Sequence, residues 1–330
     1  MTEDIFDRVL NEHGIVAADP MMRTLYQKSI HLAETDVGIL LYGESGVGKD
    51  RLAKFIHEMS LRHSAPFIHI NCGAIPHALF ESELFGYEAG TFTGGLNQGK
   101  RGLLESAQNG TLFLDEVGEM SLSNQVKLLD FLQTKQIARL GGTRKKLDVR
   151  IISATNRDLK ACVAAGAFRE DLLYRLCVVV LDIPALRNRP ADIAAFAQTF
   201  LARNYPDRRL CSDAISFLQS CNWPGNLREL NNYMEKICVL TDERVFTSEL
   251  LKSFYQETTL PELQKPTHNI RDLEHIPTLR EAMNQYEKDY ILQAIAQTST
   301  LGEAAIRLGI DLDTLNRKKR QYGIYKRWKR

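Results

Sequence analysis

A glycine-rich turn between an apolar run and a helical pattern leaves this chain few folds to choose from. Val37–Tyr42 reads as a strand and Arg51–Met59 as a helix, joined by Gly43, Glu44, Ser45, Gly46, Val47, Gly48, Lys49 and Asp50. The turn matches G-x-x-x-x-G-K and departs only at the last position, where Asp50 replaces Ser or Thr. Gly43, Gly46 and Gly48 let backbone N–H groups turn inward around phosphate oxygens, and the helix N-terminus adds partial positive charge. Lys49 is expected at the β and γ phosphates of ATP. Asp50 removes the hydroxyl that usually holds Mg2+, although its carboxylate can serve the ion directly or through water.

Further short apolar runs extend the pattern. Phe67–Ile70, Leu112–Leu114, Arg150–Ser153 and Val178–Leu181 read as strands, separated by helical stretches at Gln125–Gln133 and Asp158–Ala165. Strands alternating with helices predict an α/β fold with a parallel sheet covered on both faces. From Pro190 to Leu251 the pattern is helical only, which predicts a small helical subdomain after the sheet. The expected organisation is a short extension at 1–13, an α/β subdomain at 14–185 and a helical lid at 186–255. A proline-bearing linker at 256–277 and a small all-α domain at 278–330 follow. Thr278 and Glu281 have capping-box spacing at the start of the last domain. A helix is expected from there to Gln297, then two shorter ones at Leu301–Leu308 and Leu312–Tyr322.

Charge is balanced overall, 42 basic against 41 acidic side chains, but not along the chain. Residues 311–330 hold eight basic and two acidic side chains, so the remaining body is mildly acidic. A basic end on an acidic body suits a protein that meets a polyanion with one part only. No apolar run approaches the ~20 residues that span a bilayer. The acidic N-terminus lacks the apolar segment of a secretory signal. The six cysteines form no C-x-x-C pair, which fits reduced thiols in the cytoplasm better than disulfides or zinc.

Thr111–Glu116 supplies a second part of a phosphate site. Asp115 and Glu116 close an apolar strand, so both carboxylates can face the glycine turn. Asp115 would hold Mg2+, and Glu116 would orient and polarise the attacking water. Ser153–Asn156 ends a third strand, with Asn156 a candidate contact to the γ-phosphate or the water. Arg169 and Arg175 are six residues apart, about 600° around a helix, so helix geometry alone does not bring them together. An arginine that stabilises a transferring phosphoryl group can come from a neighbouring subunit.

These motifs together resemble one family: the AAA+ bacterial enhancer-binding proteins that activate sigma-54 RNA polymerase. Gly43–Lys49 looks like its Walker A, Leu112–Glu116 its Walker B, Phe168–Leu176 its arginine-finger segment and Trp223–Leu230 its sensor II. Leu84–Gly95 looks like the family signature, usually ending G-A-F-T-G-A, with Thr91 and Gly95 each replacing Ala. The resemblance implies that Gly90, Thr91, Phe92, Thr93, Gly94 and Gly95 contact sigma-54. Three glycines around one phenylalanine make a poor core segment, which agrees with an exposed binding loop.

The resemblance further implies that Asn71 links nucleotide state to Glu116. Arg169 and Arg175 would act across subunits of a hexameric homo-oligomer, and Arg228 would touch nucleotide. Asp50 stands where the family usually has glutamate. The basic end resembles a Fis-type helix-turn-helix for double-stranded DNA upstream of promoters. Thr314, Arg317, Lys318 and Arg320 are its candidate base or phosphate contacts. Asp311 is an expected N-cap with Asp313 in the first turn, and Lys319 stands where an apolar core residue is usual. The preceding helix carries Ala282, Tyr286, Tyr290, Ile291 and Ala294, which read equally as a dimer face or as domain core.

The expected function is ATP-dependent activation of transcription by remodelling sigma-54 RNA polymerase closed complexes. Little sequence precedes Gly14, so control is expected in trans, through a regulatory protein or through expression level. Alternatives are a repressor that keeps the nucleotide fold for assembly alone and a protein-unfolding AAA+ chaperone.

Overall fold

Five strands lie side by side and all run the same way: β1 (Ile39–Tyr42), β2 (Phe67–Asn71), β3 (Thr111–Asp115), β4 (Arg150–Thr155) and β5 (Val179–Asp182). Their spatial order is β2-β3-β4-β1-β5. The computed structural model describes residues 2–88, 99–139, 143–258, 279–296, 298 and 300–324. Gly90–Gly95 and Thr278 lie outside these residues.

The three central strands, β3, β4 and β1, are buried on both faces, which explains their continuous apolar runs, whereas the edge strands β2 and β5 are partly exposed. Alternate residues serve two different cores. Leu40, Leu112, Leu114 and Ile151 pack on one face. Ile39, Leu41, Phe113 and Ile152 pack on the other. The sequence segments Glu3–Glu12 and Pro20–Ala33 are helices that join this second core. Phe6 and Leu10, within the segment read as a short extension, are both fully buried there.

The expected helices form with shifted ends: Lys49–Glu58, Leu122–Thr134 and Leu159–Ala164. Asp158 caps the last of these, accepting from the N–H groups of Lys160 and Ala161.

After β5 the chain builds four helices, Pro190–Asn204, Ser212–Ser220, Asn226–Leu240 and Ser248–Thr258, around a separate core. The segment is not purely helical. Arg209–Leu210 pairs in parallel with Val245–Phe246, a bridge too short to leave any alternation in the sequence. Trp223 sits at the centre of this lid, fully buried, with its Nε1–H donating to the Leu218 carbonyl at 2.8 Å. Tyr233 and Tyr255 pack edge-on or tilted against it. Trp223→Ala should cost roughly 3–5 kcal/mol by opening a cavity and orphaning a carbonyl. A thermal melt checks this; a transition within a degree or two of the parent would place the lid's stability elsewhere.

Backbone contacts divide the chain into two units, Met1–Leu260 and Pro261–Arg330. The second unit contains helices at Leu279–Ala296, Leu301–Leu308 and Leu312–Gln321. Ile291, Ile295, Ala304, Ala305, Leu315 and Ile324 form its core. Ile291 and Ala294 are therefore core, whereas Tyr286 and Tyr290 are exposed and stacked on each other at 6.2 Å. Asp311 caps the last helix as expected, accepting from the Thr314 N–H at 2.7 Å. A second cap, unanticipated, starts the middle helix: Thr300 and Glu303 form a complete capping box. Among the described residues no helix is long and apolar enough to cross a membrane.

Candidate active site

All five strands end at the same edge, so the turns that follow them share one crevice. β1 delivers Gly43–Asp50, β2 ends at Asn71, and β3 ends at Asp115 beside Glu116. Register puts Asn71 directly opposite Asp115 and Tyr42 opposite Thr155. A cavity of about 540 Å³ opens at this edge, lined by Ser45–Asp50, Asn71, Asp115, Glu116 and Arg228 among others. It thus brings together ten residues expected to serve nucleotide.

The glycine turn is held by groups far away in sequence. Gly46 has φ +78°, and a Cβ there would come within 2.4 Å of the Gly225 carbonyl oxygen. Glycine is needed both for the backbone angle and for that close approach. The Leu227 N–H donates to the Gly46 carbonyl at 3.0 Å, and Arg228 donates to Ser45 Oγ at 3.1 Å. Glu44 receives a two-pronged bond from Arg187, at 2.6 and 3.0 Å, and a third from Asn226. These donors hold its carboxyl below the usual range, Arg187 first among them. Asn226 and Trp223 themselves sit at positive φ, so the lid's loop is shaped to meet the turn.

Lys49 is the first residue of its helix and is buried. Its ammonium donates to the carbonyls of Gly43 and Glu44, both at 2.9 Å. Burial lowers its pKa, while Asp115 and Glu116 act in the opposite direction. Glu116 adopts the left-handed conformation (φ 53°, ψ 44°), and its N–H donates to Asp115 Oδ1 at 2.9 Å. Its carboxylate lies in a notch at Gly73, where a Cβ would approach Oε2 to 2.7 Å. Asn71 Oδ1 accepts from the Gly73 and Ala74 N–H groups, which shapes the same notch. Asn71 therefore meets Glu116 through the Gly73 backbone.

Asp115 and Asp50 both face the cavity, but among the described residues no three acidic, histidine or cysteine side chains form a ready cation cage. That donor set suits Mg2+, which characteristically takes one or two carboxylates and completes its shell with phosphate oxygens and water.

Other expected residues lie elsewhere. Asn156 follows β4 and is exposed, outside the cavity lining. Arg169 and Arg175 also lie outside it, at opposite ends of the helix Glu170–Leu176. Arg169 grips Asp171 through two bonds at 2.7 and 3.0 Å, and Arg175 donates to the Leu132 carbonyl at 3.3 Å. In the second unit, Lys318 is half-buried and ion-paired with Glu287, while Arg317 and Arg320 are exposed. Thr314 Oγ1 is engaged by Asp311 Oδ2 at 2.8 Å.

Several cavity residues escaped the reading of the sequence. Ile15, Val16, Met22 and Tyr26 come from the N-terminal segment, and Arg189, Phe196 and Asn231 from the lid. They belong to no local motif, so only long-range packing identifies them.

Comparison with known proteins fits this geometry. The Sigma-54 interaction domain matches residues 15–182, and the AAA+ ATPase lid domain matches 187–268. The chain belongs to the sigma-54 activator family of AAA+ ATPases. The alginate biosynthesis transcriptional regulatory protein AlgB of Pseudomonas aeruginosa is 40% identical over 319 residues, covering 94% of this chain and 68% of AlgB. Regulatory protein AtoC of Escherichia coli K12 is 40% identical over 321 residues, with the same shares. An uncharacterized protein from the HyuA 5′ region of Pseudomonas sp. NS671 is 40% identical over 300 residues, covering 89% of this chain and 99% of the relative. Among solved structures, NtrX from Brucella abortus in complex with ATP is 34% identical, with a TM-score of 0.67. That match covers 94% of this chain and 69% of NtrX. The sigma-54 activator fold and its ATPase class thus follow from both sequence and structure, with sigma-54 RNA polymerase as the partner class.

Proposed function

We propose that this chain hydrolyses ATP in the cavity at the sheet edge and spends that energy remodelling sigma-54 RNA polymerase closed complexes. The carrying observation is convergence. The turn Ser45–Asp50, the strand-end acids Asp115 and Glu116 and the lid's Arg228 surround one cavity in a member of this family. The NtrX structure that resembles it holds ATP.

In this reading Lys49 and the backbone N–H groups of Gly43–Gly48 bind the phosphates, and Arg228 contacts them from the lid. Asp115, with Asp50, would hold Mg2+, which would neutralise phosphate charge when bound. Glu116 orients a water for in-line attack. A bond forms from the water oxygen to the γ-phosphorus, the bond to the bridging oxygen breaks, and the water proton passes toward the Glu116 carboxylate. Asn71 transmits nucleotide state to Glu116 through the Gly73 turn. Arg169 and Arg175 reach the phosphates of a neighbouring protomer in a hexamer, consistent with their position outside their own cavity. Asn156 acts from just beyond β4.

Residues Gly90–Gly95 are the proposed contact to sigma-54, with Phe92 and Thr93 as contact residues. The last unit is the proposed anchor on double-stranded DNA upstream of promoters. Arg317 and Arg320 are its exposed cations, whereas Lys318 must leave Glu287 or share it to reach phosphate. Phe92→Ala tests the coupling. ATPase activity should stay within about twofold of the parent while sigma-54-dependent open-complex formation falls at least about tenfold, the loss of one aromatic anchor. Unchanged transcription would move the contact to another surface.

A further inference from the structure

A buried ion pair lies beside the cavity and has no part in the hydrolytic chemistry. Arg189 and Asp192 stand three residues apart where the helix Pro190–Asn204 begins, each 2% exposed, with Arg189 Nη1 to Asp192 Oδ2 at 3.4 Å. Burial raises the Asp192 pKa and opposes the charge on Arg189. Such a pair is weak evidence for stability, because desolvation cancels much of the attraction. Its other bonds suggest a different use.

Each partner reaches a different wall of the cavity. Arg189 Nη2 donates to the Val47 carbonyl of the glycine turn at 2.8 Å. Asp192 Oδ1 accepts from the N–H groups of Ala18 and Asp19, at 2.7 and 2.8 Å. Ala18 and Asp19 follow Ile15 and Val16, which line the cavity, and Asp19 caps the helix that supplies Met22 and Tyr26. Arg189 and Phe196 line it from the lid. The guanidinium Nε has no hydrogen-bond partner among the described residues. An orphaned buried donor is tolerated where other bonds dictate the side chain's placement. The pair therefore joins three segments far apart in sequence: the N-terminal apolar wall, the phosphate-facing turn and the lid.

We infer that Arg189 and Asp192 are positioning residues that set the spacing between the apolar wall and the phosphate turn, so that nucleotide affinity depends on them more than turnover does. A nucleotide spans both walls at once, and a shift of either wall weakens binding before it disturbs Asp115 or Glu116. The inference rests on the reading of this cavity as the ATP site.

The test uses the full chain, with ATP titrated for binding and for steady-state hydrolysis. Asp192→Ala releases Ala18 and Asp19. It should raise both Kd and KM for ATP about tenfold or more, with kcat within about twofold. Asp192→Asn keeps the Oδ1 acceptor for both N–H groups but turns an amide donor toward Arg189 Nη1, so its KM should fall between those of Asp192→Ala and the parent. Arg189→Lys retains a buried cation but cannot span both Val47 and Asp192, so it should raise KM in the same direction. It also serves if Asp192→Ala does not fold. Folded variants with parental KM, or with kcat reduced at parental KM, would overturn the inference. Lys49→Ala is measured alongside. If it binds ATP like the parent, the reading of the cavity fails. If it loses ATP while the Arg189 and Asp192 variants keep parental KM, the positioning role alone fails.

Discussion

Lys49→Ala is expected to weaken ATP binding at least about a hundredfold. The ammonium is buried and fixed by the carbonyls of Gly43 and Glu44, so it meets phosphate already oriented. Removing one side of a desolvated, hydrogen-bonded charge pair costs roughly 2–5 kcal/mol, or about 30- to 5,000-fold in affinity. The upper part of that range is expected because Asp50, Asp115 and Glu116 face the same cavity and would then repel the triphosphate without a counter-charge. Isothermal titration with ATP measures this directly. A dissociation constant within threefold of the parent would show that phosphate is held without Lys49.

The second large effect separates binding from chemistry. Glu116→Gln should leave ATP affinity within a fewfold of the parent while lowering kcat by about 10²–10⁴, the range for a positioned acid–base group. Glutamine is chosen because the residue's left-handed backbone and the notch at Gly73 admit little change of shape. The substitution removes the carboxylate that would orient water and leaves the Asp115 contact to the backbone N–H in place. Single-turnover hydrolysis and equilibrium binding on the same sample distinguish the two quantities. Ordinary turnover in this variant would refute the role given to Glu116.

Both predictions concern residues legible in the sequence itself. The glycine turn and the acids ending β3 are local signals, since each depends on neighbours within a few positions. The strand extends one residue beyond the apolar run Leu112–Leu114 at either end, because its polar termini, Thr111 and Asp115, carry no apolar signal. The bridge of Arg209–Leu210 with Val245–Phe246 left no trace at all, because two residues make a single period of alternation and no repeat.

Other features were legible as chemistry but not as placement. Arg317, Lys318 and Arg320 look alike in a basic run, yet Glu287 from another helix holds Lys318 and leaves the other two exposed. Tyr286 and Ile291 could both have been dimer face or core. Their helix separates them, burying Ile291 and exposing Tyr286.

From the amino-acid order alone came the parallel sheet, the phosphate-binding turn, the acidic strand end and the family that combines them. These rest on backbone angles, strand-length apolar runs and side-chain types, all set within about ten residues. Tertiary structure alone decided what closes the site. Arg187 lies 143 positions from Glu44, and Asp192 lies 174 from Ala18. No local propensity records such pairs, because they arise only after two cores have packed and brought their surfaces within reach.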